Sequence, residues 1–163
     1  MQRLTTLHLA KQNFKFSSGH FLIFDEKSAE KLHGHNYRVQ VDLLVPQDLD
    51  LSQSGYFVDF NVFKTYIKKR LDEWDEHVLL PSRHPDMKIT PRDRNYEIRF
   101  RERFYSLPQN EVILLEVTNT SVEQLSRILA EDFFKAFRKY HVERVRVRVE
   151  ETPGQGASST VGT

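Results

Sequence analysis

Two rows of alternating apolar residues set the terms for any fold this chain can adopt. In one, Tyr37, Val39, Val41 and Leu43 alternate with Arg38, Gln40 and Asp42; in the other, Val145, Val147 and Val149 alternate with Arg144, Arg146 and Arg148. A period of two puts the apolar side chains on one face of an extended backbone, the pattern of a half-buried strand. Phe14 and Phe16, alternating with Asn13 and Lys15, repeat it ahead of the first row. Such strands need cover on one face, and two segments of helical period can supply it. Phe60, Phe63, Ile67, Leu71 and Trp74 recur at three and four residues, with Asp59 placed as the cap. Leu125, Ile128, Leu129, Phe133, Ala136 and Phe137 form a second stripe, with Ser121 and Gln124 at capping-box spacing.

The remaining segments are weaker. Pro46 to Gly55 reads as a turn-rich connection and Pro81 to Pro91 as a loop. Tyr96 to Tyr105 reads as a heavily charged strand in a hairpin arm, and Val112 to Val117 as a short, mostly buried strand. The expected order is strand, strand, helix, strands, helix, strand. Two one-sided helices over one face of a largely antiparallel sheet make an α+β domain over residues 1–152. Residues 153–163, mostly Gly, Ser and Thr, are expected to form a flexible tail.

Composition narrows the chemistry. With 163 residues, 39% apolar, the chain suffices for a single domain with a real core. The formal net charge of +1, from 24 basic and 23 acidic residues, gives no reason to expect nucleic acid or a membrane surface. The basic cluster Lys64, Lys68, Lys69 and Arg70 reads as the solvated side of the first helix. No apolar run approaches the ~20 residues of a membrane span, and Met1 to Lys11 lacks a signal-peptide core. A cytoplasmic protein is expected. There is no cysteine, so a metal here must sit on His, Asp or Glu.

His33 and His35 flank Gly34 and share odd parity with Tyr37 and Val39, so on a continuing strand both imidazoles face the buried side. Two imidazoles on one strand make half of a zinc site. A cupin would add a carboxylate a few residues on, where this chain has Val39 and Val41. His20, at the end of Phe16-Ser17-Ser18-Gly19-His20, is a candidate third ligand if the two strands pair; alone, it fits a hydrogen-bonded loop residue equally well. Three neutral imidazoles would leave a fourth position open, as in catalytic zinc sites. Glu151 continues the row Val145, Val147, Val149, where a carboxylate either meets a partner or frays into water.

These residues, in this order, resemble the motifs of the 6-pyruvoyltetrahydropterin synthase and 6-carboxytetrahydropterin synthase family. The resemblance is carried by Phe16 to His20, Leu32-His33-Gly34-His35-Asn36-Tyr37, Val58-Asp59-Phe60, Ser121-Val122-Glu123-Gln124-Leu125 and Val149-Glu150-Glu151-Thr152. It implies the tunnelling fold: a four-stranded antiparallel sheet with two helices on one face, the sheets of several subunits joining into a barrel as trimers or hexamers. It implies His20, His33 and His35 as zinc ligands, Glu151 as the anchor of a pterin ring, and Ser121 as a further substrate contact. The substrate implied is 7,8-dihydroneopterin triphosphate, a small molecule converted to a 6-pyruvoyl, 6-carboxy or 6-hydroxymethyl pterin.

Many members carry a catalytic cysteine four residues before the first histidine of His-Gly-His; here that position is Ala29. The run Glu30-Lys31-Leu32-His33-Gly34-His35 resembles a subgroup in which glutamate takes the cysteine's place, which makes Glu30 the candidate base. Asp75 and His77 are carried over as the family's acid–histidine pair, although Glu76 separates them and His77 would also suit a helix C-terminus. Two other readings compete: a pterin- or zinc-binding relative without turnover, and an unrelated zinc hydrolase with the same three imidazoles.

Overall fold

The computed structural model describes residues 3–47, 55 and 58–163. The larger of its two sheets contains β1 (Leu4–Leu9), β2 (Lys15–His20), β3 (His33–Pro46), β4 (His77–Pro81), β8 (Val112–Leu115), β9 (Arg144–Thr152) and β10 (Gln155–Gly162), in the order β10-β9-β3-β2-β4-β8, with β1 paired to β3. The set β10-β9-β3-β2 is antiparallel and four-stranded, as the resemblance implies, but its strand β10 comes from the segment expected to be a tail; β4 and β8 extend it in parallel. The helices are α1 (Phe60–Asp72) and α2 (Val122–Phe137).

The alternation read from the sequence decides which face the helices cover. Tyr37, Val39, Val41 and Leu43 of β3 and Val145, Val147 and Val149 of β9 are buried in one core with Phe63, Ile67 and Leu71 of α1 and Leu125, Leu129, Phe133 and Phe137 of α2. Each such side chain contributes about 1.5–3 kcal/mol by leaving water. Val39 pairs with Val149 and Val41 with Val147, so the two rows lie side by side under the helices. Asp59 caps α1 by accepting from the Asn61 N–H at 2.9 Å. Trp74 is buried just past the helix, whereas Phe60, at the head of the expected stripe, is exposed because α1 begins there, before the stripe turns inward.

The structure departs from the expectations in several places. Leu4–Leu9 forms a strand absent from the expected order. The segment from Pro81 to Pro91 is not all loop: β4 ends at Pro81, and β5 (Met87–Arg92) opens a second sheet. The single strand expected over Tyr96 to Tyr105 is two, β6 (Asn95–Phe100) and β7 (Arg103–Pro108), with Arg101 at positive φ in the turn between them. The second sheet, β5-β6-β7, packs Met87, Ile98 and Phe100 against Phe21, Ile23, Leu80 and Val112. Most of the turn-rich connection expected over Pro46 to Gly55 lies outside the described residues.

The tail is also corrected. Residues 155–162 are strand β10, antiparallel to β9, rather than loose chain. Gly154, at φ 81°, makes the tight turn, and Gly156 lies where a Cβ would stand 2.3 Å from the Val149 carbonyl oxygen. Ala157 and Val161 pack on the core, and the Ser159 hydroxyl meets that of Ser126 on α2 at 2.7 Å. Small residues look unpackable by composition; here they let β10 sit close beneath α2.

Candidate active site

Strand register assembles the site. β2 and β3 pair His20 with His33 and Ser18 with His35. All three histidines therefore share the covered face, and one ring nitrogen from each lies within 4.8 Å of the others. His20 is fully buried; His33 and His35 are partly open.

Hydrogen bonds then turn the rings. The His20 Nδ1–H donates to the Thr120 carbonyl oxygen at 2.9 Å and the His33 Nδ1–H to that of Lys31 at 2.6 Å. Each bond fixes the tautomer that leaves Nε2 as a lone-pair donor. His33 Nε2 faces His35 Nε2 at 3.0 Å, and His20 Nε2 is buried with no hydrogen-bond partner among the described residues. An orphaned, buried imidazole nitrogen aimed at two others is what a metal ligand looks like. Burial, foremost, and then the neighbouring imidazoles hold the His20 pKa below its ordinary value, which keeps the ring neutral and able to ligate. Three imidazoles suit zinc by charge and softness, so the residues fit that ion.

Two carboxylates border the cluster. Glu30 Oε1 is 3.9 Å from His33 Nε2, and Glu151 Oε2 is 3.8 Å from His35 Nε2. Glu151 is largely buried, in line with Val145, Val147 and Val149, so the strand does not fray before it. Glu30 is held at both ends: Oε1 accepts from the Leu22 N–H and its own N–H donates to the Leu22 carbonyl, both at 2.8 Å. The Tyr37 ring lies edge-on to His20 and His35, with a buried hydroxyl that has no hydrogen-bond partner among the described residues.

The remaining candidates stand further off. His77 begins β4 and is not a helix C-terminal residue. Ser18 pairs with both His35 and His77, so the two histidines occupy one cross-strand row with Ser18 between them. Two strand spacings, about 10 Å, separate their backbones, and both line a cavity of about 380 Å³. The expected pairing of Asp75 with His77 runs through the main chain: the His77 Nδ1–H donates to the Asp75 carbonyl oxygen at 2.6 Å, while the Asp75 carboxylate accepts from the Ser17 N–H at 2.7 Å. The positive φ of Glu76 permits this turn. Ser121 is the N-cap of α2, its hydroxyl accepting from the Gln124 N–H at 3.3 Å. Thr120 and Arg103, which hold His20 and the Glu30 segment, were not foreseen. Thr120 carried a weak signal as a polar residue at a helix start; Arg103 carried none.

With this geometry in hand, the comparisons with known proteins are specific. The family model described as 6-pyruvoyl tetrahydropterin synthase matches residues 9–161. The chain belongs to the 6-pyruvoyl tetrahydropterin synthase family. A relative from Methanocaldococcus jannaschii, named "Putative 6-carboxy-5,6,7,8-tetrahydropterin synthase", is 29% identical over 160 residues, covering 96% of this chain and 94% of its own. A Pyrococcus abyssi relative of the same name is 28% identical over 149 residues, with 90% and 86% covered. The crystal structure of 6-pyruvoyl tetrahydropterin synthase from Plasmodium vivax superposes with a TM-score of 0.88 at 24% identity, covering 99% of both chains. A variant of that Plasmodium enzyme in which a catalytic glutamate is replaced by alanine gives a TM-score of 0.88 at 23% identity, with 99% of both chains covered. The family match includes nearly all of β10, in accord with that segment being part of the fold.

Proposed function

We propose that this family member is a zinc-dependent lyase acting on the side chain of 7,8-dihydroneopterin triphosphate. One observation carries the reading: three imidazole nitrogens converge between two carboxylates, Glu30 at 3.9 Å from His33 and Glu151 at 3.8 Å from His35. His20, His33 and His35 would hold zinc, which when bound supplies Lewis acidity toward the oxygens of the substrate side chain. Glu151 faces a heterocycle best, because a carboxylate can accept from two adjacent N–H donors of a pterin ring at once. Ser121, next to Thr120, is proposed to border that ring.

Glu30 takes a proton from a side-chain carbon of the substrate. Its Oε1 is already oriented by the Leu22 N–H, so little reorganisation is needed at the moment of transfer. His77, positioned by the Asp75 main-chain oxygen, exchanges a second proton from across the shared cavity. The Plasmodium vivax variants support a glutamate in the catalytic role. Carbon–carbon cleavage would give the carboxy or hydroxymethyl pterin; triphosphate elimination with internal redox would give the pyruvoyl product.

Several subunits would complete the site, in a trimer or hexamer. Among the described residues β10 and β8 end the larger sheet, and strand pairing between copies would close those edges. Among the described residues no helix is long and apolar enough to cross a membrane, and a cytoplasmic setting is part of the proposal.

The test is incubation of the zinc-loaded protein with 7,8-dihydroneopterin triphosphate, with products identified by mass. A 6-substituted pterin, lost on Glu30→Ala and on His33→Ala, supports the reading. Unchanged substrate, or unchanged turnover in both variants, refutes it.

A further inference from the structure

The second sheet, β5-β6-β7, contributes nothing to the imidazole cluster, yet two of its arginines reach the segment that carries Glu30. Arg103, at the start of β7, donates from Nη1 to the Glu30 carbonyl oxygen at 2.6 Å and from Nη2 to the Ala29 carbonyl oxygen at 3.1 Å. Its guanidinium carbon lies over the rings of Phe21, at 5.2 Å, and Phe100, at 5.6 Å. Arg101, in the turn before it, donates to the Asp25 carbonyl oxygen at 2.5 Å and to the Asp86 carboxylate at 3.0 Å.

Elsewhere between β2 and β3, Asn119 bonds the Ile23 N–H and carbonyl, and the Asp25 carboxylate closes the turn to Ser28. At Ala29 and Glu30 themselves the ties are the Ile23–Ala29 bridge, the two Leu22 contacts of Glu30 and the Arg103 fork. A guanidinium that grips two successive carbonyls fixes both the position and the tilt of the intervening peptide, because its donors form a rigid planar fork. The aromatic faces of Phe21 and Phe100 fix the fork in turn.

We infer that Arg103 is the positioning residue for Glu30, and that the second sheet is the support from which it acts. This rests on Glu30 being the base. Arg103 bonds the main chain of Ala29 and Glu30, so its influence on the reaction runs through the Glu30 carboxylate. Misplacing a catalytic group by about 1 Å costs on the order of 100-fold in rate. A lysine can satisfy one carbonyl but cannot span two as a fork, so Arg103→Lys should fall between the wild type and Arg103→Met.

The experiment combines kinetics with amide hydrogen exchange on the zinc-loaded protein. Arg103→Met is expected to lower kcat by about 10- to 100-fold with KM little changed. Arg103→Lys is expected to restore part of that loss. In a Glu30→Gln background, Arg103→Met should have no further effect on kcat, since its target is already gone. Peptides spanning residues 22–32 should exchange about 10-fold faster in Arg103→Met while those of β3 and α2 keep their protection. Arg92→Met, in the same sheet and exposed, should leave both readouts unchanged.

Wild-type kcat in Arg103→Met, or equal losses with and without Glu30, overturns the inference while leaving the proposed function intact. Wild-type turnover in Glu30→Gln overturns the base assignment and the inference with it. If the wild type turns over no pterin, the proposed function falls, and unchanged exchange at 22–32 in Arg103→Met would overturn the clamp independently. Loss of protection throughout the chain in both Arg103 variants would make Arg103 a folding residue and also overturn it.

Discussion

The two sheets serve the site in different ways. The larger one brings His20, His33 and His35 together through the register of β2 and β3, and the Thr120 and Lys31 carbonyls turn two of the rings. The smaller one presents nothing itself and steadies Glu30 through side-chain contacts to carbonyls across a loop. Metal affinity and proton transfer should therefore fail separately, and each variant below is chosen to separate them or to show that they cannot be separated.

The largest effect is expected from His33→Ala. Zinc should no longer copurify and turnover should fall to background, as measured by elemental analysis and product mass. Retained zinc would mean that the register argument picks the wrong ligands. Next comes Glu30→Gln, which should keep zinc and lower kcat by roughly 10²- to 10⁴-fold, the usual contribution of a positioned base. Loss of zinc in that variant would merge the two halves of the comparison.

Core substitutions sharpen it. Leu129→Ala under the larger sheet and Ile98→Ala in the smaller one remove fully buried side chains and should each cost about 2–5 kcal/mol in denaturant unfolding. At temperatures where both remain folded, Ile98→Ala should depress kcat with zinc retained, while Leu129→Ala should weaken zinc binding as well. Equal profiles would contradict the division of labour.

The smallest effect concerns Tyr37. Burial first, then Glu151 and Glu30, push its pKa well above the ordinary phenol range. A raised native pKa means that its contribution to stability is fully present below pH ~10 and is lost as pH climbs from there toward the native value. Tyr37→Phe should flatten that alkaline loss in thermal melts. At neutral pH it should be neutral or stabilising by about 1 kcal/mol, since the hydroxyl is buried without a partner.

How much of this was readable beforehand follows the same split. Period-two rows and helical stripes are local signals, so β3, β9, α1 and α2 were legible. The parity of Glu151 with Val149 left burial and fraying equally open, and the structure decides for burial. His33 and His35 were legible for the same reason, and His20 through the pairing of its strand. The contacts around Glu30 were not, because Arg103 lies 73 residues away and one arginine in a charged segment looks like any other. β10 was misread because glycine and serine carry no hydrophobic period, although close packing under α2 needs small residues there. Asp75 and His77 do meet, but through the Asp75 main-chain oxygen, because sequence spacing cannot tell a carboxylate contact from a main-chain one.

The most direct test of the central claim is X-ray absorption on the zinc-loaded wild type beside His20→Ala. Bound zinc with imidazole nitrogens at about 2.0–2.1 Å is expected, with loss of one of them or of the metal itself in His20→Ala. A wild type that takes up no zinc, or a ligand shell unchanged by removal of His20, would contradict it.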